Sequence, residues 1–188
     1  MPHKITIKPT EFFNEETNRF INVKETTLVL EHSLISISKW EAKYKKPFLV
    51  EGSLSDATAV LDYIKFMTIS PQNVDENVYY GLSKENIEEI VAYINDPMTA
   101  TWFSDDKKPQ NRRKKEILTS EVIYWQMIAL EIPQAYEKWH LNRLLTLIRV
   151  CSAKQEEQMG KNKMSKGDIR KQNAALNAQR RAKIGTRG

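Results

Sequence analysis

The chain has 188 residues, of which 40% are hydrophobic and 28% charged, with a mean hydropathy of −0.56 and a formal net charge of +5 at pH 7. No run of about 18 apolar residues occurs, which argues against a transmembrane helix, and the single cysteine, Cys151, excludes an intrachain disulfide and the common zinc-cluster spacings. The first stretch, MPHKITIKPTEFF, lacks the apolar segment of a secretory signal, so the expectation is a cytosolic chain without membrane attachment.

The charge is unevenly spread. Residues 154–188 hold ten Lys/Arg against three acids, a net of +7, whereas residues 1–153 hold nineteen against twenty-one, a net of −2. The basic character therefore belongs to the tail and not to the body.

Residues 3–31 have β character. Ile5 and Ile7 alternate with polar neighbours, Phe20–Val23 reads as a return strand, and TTLVL (26–30) puts Leu28 and Leu30 on one side. Two or three short antiparallel strands are predicted, and so small a sheet needs helices against it. Over 33–46 the pattern turns helical, with Ser33 as N-cap, Leu34, Ile37, Trp40 and Tyr44 on one face, and Lys46-Pro47 as the stop. A second helix is predicted over 53–69, with Ser53 and Asp56 as a capping pair. A short one follows at 75–81, with Val78 and Tyr79 inward. Ser83 starts a further helix that buries Ile87, Ile90, Val91 and Ile94 and stops at Asn95-Asp96-Pro97.

MTATWF (98–103) has the alternation of a short strand, and 104–116 (SDDKKPQNRRKKE) is a charged loop, read as a solvated excursion or flexible hairpin tip, or alternatively as a contact for an acidic or phosphate-bearing partner. Residues 118–132 form a strongly apolar helix, capped by Thr119 or Ser120, with Val122, Ile123, Trp125, Met127, Leu130 and Ile132 almost all round it. Residues 134–151 read as one long helix, because Leu141, Leu144, Leu145, Ile148 and Cys151 recur at helical spacing while Trp139 and Leu147 widen the face. That face is either plain core or, in part, a groove for a partner segment. Beyond it, 154–167 has the composition of a flexible linker, and 168–183 (DIRKQNAALNAQRRAK) has good helix propensity but only a thin apolar strip.

The expected fold is thus α+β and mainly α: a small N-terminal antiparallel sheet (3–31) within a helical body (1–153), a linker (154–167) and a basic helical tail (168–188). Chemistry finds little purchase in it. His3, His32 and His140 are far apart, and no phosphate-cradling glycine loop, nucleophile elbow or metal-ligand spacing is present. The reading is of a non-enzyme that takes no cofactor and no metal. The tail cations suit a polyanion, but no aromatic residue follows Trp139, and single-strand binders normally interleave stacking rings with charge. An acidic or amphipathic protein partner is preferred over nucleic acid.

The stretches LEHSLISISKWEAKYKKPF (30–48), LDYIKFMTI (61–69), INDPMTATWF (94–103), KWHLNRLLTLIRVC (138–151) and MSKGDIRKQNAALNAQRRAKIGTRG (164–188) together resemble the tail assembly chaperones of long-tailed, siphovirus-type bacteriophages. The resemblance implies a protein of the infected bacterial cytoplasm that coats the tape measure protein before the tail tube polymerises and is absent from the finished virion. It also implies the short form of a pair that frameshifting can extend. No residue roles transfer one by one. The physical candidates for partner binding are Trp125, Trp139, Leu141, Leu145 and Ile148 on the two central helices. On the tail they are Arg170, Lys171, Leu176, Arg180 and Arg181. Contact with other tail proteins or with a second copy is a further expectation. The competing readings are a structural virion component, such as a head–tail connector or tail-completion protein, and a nucleic-acid-binding protein that uses its tail.

Overall fold

The computed structural model describes residues 2–14, 18–101, 103, 117–162 and 166–184. It divides into two compact units, Met1–Ile148 and Arg149–Gly188. The fold is α+β and mainly α, with the small antiparallel sheet at the N-terminus as the sequence predicts.

Four strands open the first unit: β1 (His3–Ile7), β2 (Thr10–Asn14), β3 (Arg19–Val23) and β4 (Thr26–Leu30). β1 pairs with β4, from His3↔Leu30 to Ile7↔Thr26, and β2 pairs with β3 in a two-stranded sheet of its own among the described residues, so a separate hairpin is inserted between the two partners. The return strand for Ile5 and Ile7 is therefore β4 and not Phe20–Val23. Pro9, which has no backbone N–H, sits where the β1–β4 ladder would have to continue. Ile5, Ile7, Leu28 and Leu30 all face inward, as the alternation requires. Burying each such side chain contributes about 1.5–3 kcal/mol.

The helices α1 (Leu34–Tyr44) and α2 (Ala57–Met67) pack against each other. Ser33 precedes α1 as predicted, and its backbone N–H donates to Ser36 Oγ at 3.1 Å. Leu34, Ile37 and Trp40 are buried, and the Trp40 indole N–H donates to the Ala59 carbonyl at 3.2 Å, which gives the ring's polar edge a partner. α1 ends at Lys45, whose φ of 55° is left-handed. The cap of α2 is Asp56, which accepts from Ala59 N–H at 3.1 Å, so the helix starts three residues later than a Ser53 cap would place it. The end of the predicted helix leaves helical geometry and becomes β5 (Thr68–Ser70), which adds to the free edge of β4 and gives the sheet order β1-β4-β5.

α3 (Glu76–Tyr80) and α4 (Lys84–Asn95) follow. Ser83 Oγ caps α4 as predicted, accepting from Asn86 N–H at 3.2 Å. The face of α4 that turns inward carries Ile90 and Tyr93, while Val91 is exposed, so the buried stripe is rotated from the expected one. Described residues of the Met98–Phe103 stretch form no strand; Trp102 and the charged loop 104–116 lie outside the described residues.

α5 (Ser120–Ala129) packs on α1. The predicted single helix over 134–151 is instead a 3-10 helix (Gln134–Lys138), a break at Trp139-His140, and α6 (Leu141–Asn162). The break has a long-range cause. His140 forms an isolated antiparallel bridge with Ser33, and Leu141 N–H donates to the His32 carbonyl at 2.9 Å, which holds these residues extended. In the second unit α6 runs on to Asn162, through residues read as linker, and α7 spans Lys166–Ile184, enclosing the predicted tail helix.

Candidate partner-binding surfaces

α5 is held at its start by a buried carboxylate. Glu41 accepts from Phe48 N–H through Oε1 and from Ser120 N–H through Oε2, both at 2.8 Å, so one side chain joins the turn after α1 to the first turn of α5. The Ser120 N–H is one of the donors that a helix start leaves without an intrahelical partner. Thr119 is the N-cap, and the carboxyl of Glu121 lies below its ordinary range because its own backbone N–H and the Thr119 hydroxyl hydrogen-bond to it.

Ile123 and Met127 turn into the core. Glu121, Trp125, Ile128 and Ala129 turn out, with Trp125 66% and Ile128 76% exposed. Beyond the helix Glu131 adopts φ 54° and is also exposed. The outer face of α5 is therefore an apolar patch with a carboxylate at each end. The Tyr124 hydroxyl donates to Glu137 at 3.0 Å; burial and that carboxylate push its pKa up to about 12, so it keeps its proton. Trp139 is stacked on Tyr136 at 4.1 Å between centroids, and the Arg143 guanidinium lies 4.1 Å from the same ring.

The predicted partner-binding residues thus separate. Trp125 is on the open face of α5. Trp139 is half-buried and already stacked by its neighbours. Leu141 and Ile148 are buried in the chain's own packing, and Leu145 is half-buried. On α7, Arg170, Lys171, Leu176 and Arg180 are exposed, whereas the Arg181 side chain lies outside the described residues. Among the described residues Trp125 is on an open face while Leu141 and Ile148 are interior, so these side chains do not line one shared open surface.

An apolar groove does exist elsewhere. A hollow of about 350 Å³ lies between α2, α3 and α4, walled by Val60, Leu61, Tyr80, Leu82 and Ile87 among others. Tyr80 is exposed at its rim and meets Phe12 of the hairpin at 6.0 Å between centroids. Phe13 and Phe20, a cross-strand pair in edge-to-face contact at 5.1 Å, are exposed on the same hairpin. A second cleft, about 450 Å³, is lined by Lys8, Thr10, Tyr80, Ser83 and Asn86 among others and is more polar. Sequence reasoning missed the α2–α3–α4 groove and also Ile128. A helical projection would have placed Ile128 one turn from Trp125, but the near-continuous apolar composition of this helix concealed which side faces out.

Two of the three histidines come together in the interior. His32 Nδ1 is 2.5 Å from the Tyr63 hydroxyl, His140 Nε2 is 2.9 Å from the Tyr93 carbonyl oxygen, and the two imidazoles meet edge-to-face at 4.9 Å. Both are 2% exposed. Burial, with neighbouring His140, pushes His32 down to about 3, and burial pushes His140 down as well. Both rings are therefore neutral in the folded chain near neutral pH and tie the start of α6 to the strand–helix junction. Among the described residues no group of three or more His, Cys, Asp or Glu is placed to hold a metal ion, and no helix is long and apolar enough to cross a membrane.

Comparison with models of protein families, with curated proteins and with solved structures returns no match.

Proposed function

We propose that the chain is a non-enzymatic assembly chaperone that binds and shields an amphipathic helical segment of a phage tape measure protein during tail morphogenesis in the host cytoplasm. The observation that carries this reading is the apolar groove between α2, α3 and α4. A helix laid in such a groove inserts side chains at i, i+3 and i+4, and the aliphatic walls cover them while the helix satisfies its own backbone. The exposed aromatic hairpin beside the groove supplies further apolar area, and the exposed cations of α7 suit acidic stretches of the same partner. The resemblance in sequence to tail assembly chaperones gives the partner its name.

The test is co-expression of the full chain with the tape measure protein. The unaltered chain is expected to keep that protein soluble and to co-purify with it. Val60→Asp combined with Ile87→Asp places two carboxylates in the groove and is expected to release the tape measure protein into the pellet, with circular dichroism used to confirm that the variant is folded. A folded double variant that still holds the tape measure protein in solution would remove the groove from the proposal.

A further inference from the structure

We propose that the outer face of α5 is the seat for α7 of a second copy of this chain. The two surfaces are complementary in both polarity and charge. On α5 the exposed stripe is Glu121, Trp125, Ile128 and Ala129, with exposed Glu131 beyond, and no Lys or Arg occurs between Ile117 and Glu137. On α7 the order of charge is reversed. Residues 172–179 carry none, Leu176 is 44% exposed at their centre, and Ala174, Ala175 and Ala178 are exposed around it. Exposed Arg170 and Lys171 precede this neutral stretch and exposed Arg180 follows it.

The spacing also agrees on one face of each helix: Leu176 and Arg180 are four residues apart, as Glu121 and Trp125 are, so an antiparallel crossing sets Leu176 against Trp125 and Arg180 against Glu121. The small side chains of Ala174, Ala175 and Ala178 let another helix approach closely, and Trp125, a large ring left in water, is the type of residue that anchors an interface when covered. The flanking charges set the register and oppose a partner of the wrong sign. Twofold exchange forms the same contact twice. The occupant is a second copy because α7 itself carries the cation–apolar–cation order that this face calls for.

The full-length protein tests this without any partner. Sedimentation velocity of the pure chain is expected to show self-association that weakens with added salt. Trp125→Ser and, separately, Leu176→Ser are each expected to weaken it by about tenfold or more. A face-reversed variant (Glu121→Lys with Glu131→Lys) and a tail-reversed variant (Arg170→Glu, Lys171→Glu and Arg180→Glu) are each expected to self-associate poorly. Mixed, they are expected to associate with each other, because each altered element now meets its complement. A monomeric unaltered chain overturns the proposal. So do a folded Trp125→Ser variant that associates normally and a mixture that stays dissociated. The tape measure reading is tested separately, because the α2–α3–α4 groove that carries it is unaltered in these variants and its binding is measured with a different protein present.

Discussion

The buried imidazole of His32 makes a quantitative demand on the stability of the body. In the unfolded chain a histidine titrates near its ordinary value of 6.5, whereas in the folded chain His32 is held near 3 by burial and by His140. Below pH 6.5 the unfolded chain therefore takes up a proton that the folded chain refuses. Stability is intact above the unfolded value and falls as the pH drops toward the folded one, by about 1.36 kcal/mol per pH unit. At about pH 4.5 the loss from His32 alone is about 2.7 kcal/mol, a large part of the 5–15 kcal/mol that a typical domain has in total. His140 is shifted the same way and adds to the loss. Glu31, whose carboxyl is raised chiefly by burial, works against it.

Burial pushes the Tyr63 phenol up, so it keeps its proton, and its hydroxyl lies 2.5 Å from Nδ1 of His32. Urea unfolding followed by circular dichroism at about pH 7.5 and about pH 4.5 measures the loss. The comparison is with His32→Gln, which cannot titrate in this range and whose altered packing affects both pH values alike. The variant is expected to lose less between the two conditions than the unaltered chain, by the His32 share. Equal losses in the two proteins would refute the account of a neutral, proton-refusing His32.

Three further outcomes follow from the packing. Glu41→Ala strands two buried N–H donors, Phe48 and Ser120, and is expected to lower stability by about 2–4 kcal/mol in chemical denaturation; Glu41→Gln keeps one acceptor and should lose less. Leu28→Ala leaves a void beneath the sheet and is expected to cost about 2–5 kcal/mol by the same measurement. Trp125→Ser, by contrast, is expected to change the stability of the monomer by no more than about 0.5 kcal/mol, because its ring lies largely in water; a large loss would place the ring inside the body.

Where local chemistry determines structure, the amino-acid sequence was readable. Ser83 starts α4 because its hydroxyl meets a free N–H, Ser33 starts α1 with its own N–H held by the Ser36 hydroxyl, and Leu28 and Leu30 face inward because a strand has a two-residue period. Where distant segments decide, it was not. The pairing of β1 with β4 across an inserted hairpin and the capture of Thr68–Ser70 by the sheet both depend on long-range partners. The kink at Trp139-His140 depends on a bridge to Ser33, more than a hundred residues earlier. The candidate surfaces divide in the same way. The cations of the tail and the ring of Trp125 could be picked out by composition, but the groove could not, because Val60 and Ile87 become neighbours only when α2 and α4 are placed.

The region after Cys151 is where composition and structure disagree most sharply, and a single substitution distinguishes them. Residues 154–162 have almost no apolar content, which argued for a linker, yet they form the last turns of α6. Helix needs no apolar face if its residues are good formers and an existing helix supplies the nucleus. Ala153, Lys154, Gln155, Glu156, Glu157 and Gln158 are such formers, and Lys154 pairs with Glu157 at 3.2 Å. Residues 153–158 are exposed, and the stretch extends α6 by propagation. Proline at Gln155 removes an intrahelical hydrogen bond and collides with the preceding turn, at a cost of about 3 kcal/mol in a helix. Gln155→Pro is expected to lower the helical signal in circular dichroism by the share of the turns beyond it while leaving the urea midpoint of the body unchanged. An undiminished helical signal would mean that these residues are the flexible connection their composition suggested.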